Sequence, residues 1–220
     1  MALSRLNYNS LNVTPTASAG IGFDSGADDL SIDFSGGDLV FIKKLTASGS
    51  ATLSFVDGSS DVVLDNTYKE YLFTFKNIHA SELTTFTFNG SIDSGSNYNV
   101  AKTSAFFGSY HNETAAATSL HYREEQDQSQ GTGFQQIQWP DGHGTDNDLG
   151  SSGYLRLFNP SSTTFVKHYI GRANLGMDAD YTIDAHVAGY FNTTSAIDAC
   201  QFKMAEGNID LGDICLYGIN

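Results

Sequence analysis

The densest concentration of potential metal ligands in the chain is DGHGTDND, where Asp141, His143, Asp146 and Asp148 crowd one short segment. Carboxylates interleaved with glycine could wrap a hard cation such as calcium, which takes several oxygen ligands in flexible geometry. The spacing matches no EF-hand loop, His143 is a poor calcium ligand, and zinc would ask for His or Cys partners that are missing nearby. Asp-Gly and Asn-Asp are also common turn sequences. The segment therefore reads as a polar loop, with cation binding by Asp141, Asp146 and Asp148 left open and no cofactor expected.

A second acidic pool, Glu124, Glu125 and Asp127 in REEQDQSQ, raises the question of glycoside hydrolysis. That chemistry sets two carboxylates across a cleft and keeps one of them protonated by its surroundings. This pool has no apolar neighbours in sequence to desolvate a carboxyl, so it reads as a solvated face. The chain has no GxSxG elbow, HExxH or P-loop. The six histidines, at 79, 111, 121, 143, 168 and 186, are scattered, and none has a helical i, i+4 partner, so no metal role is assigned. The expectation is a protein that is not an enzyme. The single tryptophan, Trp139, with Tyr110, Tyr122 and Phe134 near it in sequence, could serve a glycan or receptor if exposed, though core packing explains it more simply.

Charge excludes another class. The net charge is −14, from 11 basic and 25 acidic residues, and 19 of the acids are Asp, which favours turns. Nucleic acid binding needs clustered Lys and Arg to displace counterions, and Lys43-Lys44 is the only adjacent basic pair. No apolar stretch approaches the ~20 residues of a membrane helix, and no secretory signal opens the chain. Neither nucleic acid nor membrane is expected as a partner, and synthesis is expected in a cytoplasm. Cys200 and Cys215 allow one bridge and fall in strands that read as neighbours, but a chain of 220 residues needs no staple. Both are expected as buried free thiols.

The elements that would carry these residues are strands. Period-two alternation is clearest in Glu70 to Ile78, where Tyr71, Phe73 and Phe75 share a face against Thr74 and Lys76. Leu83 to Phe88 repeats it, and segments 38–45, 51–56, 103–110, 152–158, 164–171, 182–191, 197–204 and 213–219 read similarly. The loop NPSSTT predicts a hairpin between 152–158 and 164–171, and a turn through Glu206 to Gly212 predicts another between the last two strands. Residues 110–150 read as surface loops around one strand at Gly133 to Trp139. No helical period persists over eleven residues. The expected fold is all-β, an antiparallel β-sandwich, with jelly-roll topology preferred because it handles many antiparallel strands and occurs in viral capsid domains.

Residues 1–37 depart from this rhythm. They are low in charge and rich in Ser, Thr, Asn and Gly, yet dotted with apolar residues. They read as an extended amino-terminal arm ahead of a single domain at 38–220, with Leu3, Leu6, Leu11 and Val13 as the attachment residues; a strand of the chain's own domain is the alternative.

Several stretches resemble a structural protein that recurs in tailed phages of marine bacteria. They are ALSRLNYNSLNVTPTASAGIGF (Ala2 to Phe23), EYLFTFKNIHA (Glu70 to Ala80), GSNYNV (Gly95 to Val100), YLRLFNPSSTTFVKHYIGRA (Tyr154 to Ala173), GYFNTTSAI (Gly189 to Ile197) and IDLGDICLYGIN (Ile209 to Asn220). The resemblance runs from end to end and implies a virion component, but brings no catalytic or ligand-binding residues with it. The expectation is a capsid decoration or cement protein on the particle exterior, homo-oligomeric and bound to major capsid or tail subunits. The alternative is a tail, neck or fibre component that contacts host glycan or receptor.

Overall fold

The computed structural model describes residues 39–140, 142, 144–177 and 180–220 in full, and the backbone of residues 20–23 and 30–33. The chain divides into two units, Met1–Val40 and Phe41–Asn220. In the first, β1 (Gly20–Phe23) and β2 (Leu30–Asp33) form an antiparallel ladder with Gly20 opposite Asp33. Part of the segment read as an extended arm is therefore a paired ribbon. Leu3, Leu6, Leu11 and Val13 lie outside the described residues.

The rest is an all-β sandwich. Its strands are β3 (Leu39–Ser50), β4 (Leu53–Val56), β5 (Glu70–Ala80), β6 (Phe86–Ser91), β7 (Lys102–Asn112), β8 (Thr118–Tyr122), β9 (Ser129–Gly131), β10 (Gln135–Gln136), β11 (Ser151–Phe158), β12 (Lys167–Met177), β13 (Tyr181–Phe191), β14 (Ala199–Met204) and β15 (Ile209–Ile219). Among the described residues there is no α-helix, only a single 3-10 turn at Glu124–Gln126. The large sheet runs β3-β15-β5-β11-β12-β13-β7-β8, with β9 also on β7, and the small sheet runs β10-β6-β14-β4.

Aromatic side chains join the two sheets. Tyr71, Phe73 and Phe75 point inward from β5, as their alternation requires, while Lys76 is exposed. Their rings meet those of the small sheet edge to face: Phe55 on Phe73 at 5.3 Å, and Phe75 on Phe202 at 5.3 Å. Phe88 meets Tyr169 of β12 at 5.0 Å. Such pairs add about 0.5–1.5 kcal/mol each beyond the area they bury.

The hairpin around NPSSTT forms as expected, with Leu157 opposite Tyr169. The carboxy-terminal pair does not. β14 lies between β6 and β4 in the small sheet, whereas β15 lies beside β5 in the large one. Alternation alone cannot separate a hairpin from an arch, because strands that face each other across a core alternate just as strands that pair do. Cys200 and Cys215 consequently do not share a sheet; both are free and buried.

Residues 110–150 also differ from the expected surface loops. Beyond the short β10, which takes the place of the strand expected at Gly133 to Trp139, the region contributes β8 and β9 to the edge of the large sheet. Gln135, Ile137 and Gln138 are fully buried. The Gln135 side chain accepts from Ser104 Oγ at 2.7 Å and donates to the backbone oxygens of Gln126 and Gln136, each at 3.1 Å, so its amide is buried without an orphaned donor.

Candidate functional site

The acidic loop brings no ligand set together. Asp146 and Asp148 are exposed, and the Asp146 backbone oxygen lies 3.1 Å from His79 Nε2. Asp141 and His143 lie outside the described residues. Among the described residues no group of three or more His, Cys, Asp or Glu could hold a metal ion.

Glu124 and Glu125 are exposed on the 3-10 turn, as a solvated face requires. Asp127 is half-buried and accepts a hydrogen bond from the Tyr122 hydroxyl. That bond holds the Tyr122 phenol above its ordinary range.

Trp139 is only 8% exposed, so it is a core residue and not a free stacking surface. It meets Tyr110 and His121 edge to face, each at 6.3 Å, and the Arg123 guanidinium lies 4.7 Å over its ring. Gly108 on β7 leaves the space for it: a Cβ there would stand 3.0 Å from Trp139 Cζ3 and 2.9 Å from the Asp184 backbone oxygen.

The surface features with the most chemistry lie on the outer face of the large sheet. Inward positions of β11, β12 and β13, such as Leu155, Ala173 and Ala185, are buried, so Tyr154, Arg172 and His186 must point outward. Register sets these three in one row across the strands, because Arg172 lies opposite Tyr154 on one side and His186 on the other. The row continues through Phe107 and Tyr122. Phe107 and His186 stack at 4.9 Å with planes 3° apart.

A second outward row runs beside the first through Ser152, Asn174, Asp184 and Ser109. Arg172 grips Asp184 through two bonds, Nε to Oδ1 and the terminal nitrogen to Oδ2, both 2.7 Å. This grip holds the Asp184 carboxyl below its ordinary range, against a smaller opposing effect of burial. His186 Nε2 sits 3.2 Å from the same Oδ2. Tyr154, Arg172, Ser152, Asn174 and Asp184, at the β11 end of the rows, line a furrow of about 390 Å³, which shares Ser152 and Asn174 with a larger cavity of about 770 Å³ toward β3 and β15.

None of these row residues except Tyr122 belonged to a site expected from sequence, and Tyr122 was singled out only for its nearness to Trp139. Alternation marks Arg172 or His186 as outward-facing, but only strand order and register align them. Comparison of the chain with protein-family models, with curated proteins and with solved structures finds no match.

Proposed function

We propose that the chain is a non-enzymatic structural protein of a tailed-phage particle, acting as a capsid decoration or cement protein on its exterior. The observation that carries this reading is strand order. Within the large sheet, β3-β15-β5-β11 are consecutive, and the small sheet is β10-β6-β14-β4. We read these eight strands, taken in chain order, as the path of a jelly roll, with β7-β8-β9 and β12-β13 as insertions that widen the large sheet. Jelly rolls recur in viral capsid proteins and in lectins. Fold alone does not assign a role, and the phage context comes from the sequence resemblance of Ala2 to Asn220. The net charge of −14 argues against a place on the packaged genome. On this reading the protein is made in the host cytoplasm and joins the virion as a homo-oligomer through major capsid or tail subunits.

A second reading, a tail, neck or fibre component that contacts host glycan or receptor, draws on the outer face of the large sheet, where Phe107 is 44% and Tyr122 62% exposed. An electron-microscopy map of the intact virion separates the two. Density for the sandwich on the capsid shell is the expected result; density on the tail would replace the first reading by the second, and its absence from the particle would reject both.

A further inference from the structure

We infer that the outward row Tyr154, Arg172, His186, Phe107 and Tyr122 is the floor of a binding site for a neutral oligosaccharide chain. Five adjacent strands about 4.8 Å apart make this row roughly 19 Å long. That is the dimension of an extended ligand of several repeating units, not of a compact metabolite. Every member of the row ends in a planar group. The apolar face of a sugar ring packs on such groups, while hydroxyls at its rim need donors and acceptors.

The second row supplies those beside the first. Asn174 has both amide hydrogens placed, on Thr182 Oγ1 at 3.0 Å and the Ile183 backbone oxygen at 2.9 Å, which fixes its side-chain oxygen as an acceptor. Ser152 and Ser109 bring hydroxyls at the same level. On the other flank the neighbouring positions are Arg156, Ile170, Ala188 and Ala105, so the planar groups of β13 and β7 stand clear of tall neighbours while Arg156 and Ile170 border Tyr154 and Arg172.

Charge selects the ligand class. The cation of the row is Arg172, and its charge is matched by Asp184 through two short bonds. A polyanion would have to break that pair and approach a chain of net charge −14. A polycation would find no unpaired carboxylate in either row. A neutral polymer of hydroxyls needs neither, and it uses the guanidinium and carboxylate as oriented hydrogen-bonding planes.

This inference rests on the second reading above for the source of the sugar, but its test needs no particle. Purified full-length protein is titrated calorimetrically, and run in affinity gels, with laminarin, dextran and agarose-derived oligosaccharides, and with alginate and heparin as polyanions. Binding of at least one neutral polysaccharide is expected, weakened about tenfold or more by Phe107→Ala and by Tyr154→Ala. Leu83→Ala, an exposed side chain outside the rows, should leave it unchanged. Trp139 emission, from a buried ring that is not part of the rows, reports whether each variant is folded.

No binding of any neutral polysaccharide, binding untouched by both folded variants, or preference for alginate or heparin would overturn the site. Capture of a virion protein by this face without any sugar bound would do the same. Failure here leaves the particle assignment standing, and failure of the virion map leaves sugar binding intact.

Discussion

Lys102 Nζ lies 2.8 Å from Asn89 Oδ1 with both residues fully buried, and no carboxylate pairs with that amine among the described residues. Its second acceptor is the Val100 backbone oxygen at 3.0 Å, and the Phe191 ring lies 5.8 Å away. Phe191 stands between Lys102 and a second buried lysine, Lys167, in the cross-strand register. Burial lowers both amines, Lys102 to about 7.

The pH dependence follows from that depression. Between pH 7 and the ordinary lysine range the unfolded chain holds a proton that the folded chain lacks, so stability rises with pH across this window. One such group gives at most about 1.4 kcal/mol per pH unit. Above about pH 9 the Cys200 thiol, and above about pH 10 the phenols of Tyr71 and Tyr169, all of which burial holds above their ordinary range, act in the opposite sense. Urea unfolding at pH 7, 8 and 9 should show the rise, and Lys102→Met should flatten most of it. Equal slopes in both proteins would show that the amine keeps its proton inside.

Gly108 predicts a steric cost. A methyl group there meets the Asp184 backbone oxygen at 2.9 Å, and that atom belongs to the adjoining strand and cannot turn away. Gly108→Ala should cost about 1–3 kcal/mol and shift Trp139 emission as the indole is pushed off the sheet. Unchanged melting and emission would show that the ring has room to move.

What the sequence made legible was whatever depends on one strand alone. Tyr71, Phe73 and Phe75 reveal an inward face because successive side chains point to opposite sides. What it hid depends on two strands. Nothing in ACQFKM or IDLGDICLYGIN tells that β14 and β15 separate into different sheets, and nothing in REEQDQSQ or FQQIQWP tells that Gln126 and Gln135 bond inside. Thr87, Asn89 and Ser91 alternate with Phe86 and Phe88 as a solvated face would, yet all are buried, because loops cover them: Asn89 Nδ2 donates to the Tyr98 and Thr132 backbone oxygens at 2.7 and 3.0 Å. The Arg172 row was invisible for the same reason, since its members come from five strands.

Both thiols should be silent in the folded protein. Cys200 is fully buried and pushed up to about 12 by burial, with nearby Asp198 adding to the effect, so almost no thiolate exists at neutral pH. Cys215 is 3% exposed. A chromogenic disulfide reagent should titrate no thiols natively and both after urea unfolding. Intact mass under non-reducing conditions should show no bridge, and a loss of two hydrogens relative to the reduced chain would contradict the separation of the two strands.

Attachment is the remaining test, and it concerns Met1 to Ala19. β1 begins at Gly20 and β3 at Leu39, so deleting those residues removes no strand among the described residues. If Leu3, Leu6, Leu11 and Val13 lie against a neighbouring virion subunit, they add binding surface without adding to their own core. The truncated chain should then melt within a few degrees of the full one, since a loss of about 1 kcal/mol already moves a domain of this size by roughly 2–4 °C. It should also fail to add to particles that lack the protein. A truncated chain that unfolds or aggregates would instead make the segment an internal part of the sandwich, and attachment would then have to be sought on the large sheet's exposed edge at β8, where Leu120 is 71% and Tyr122 62% exposed.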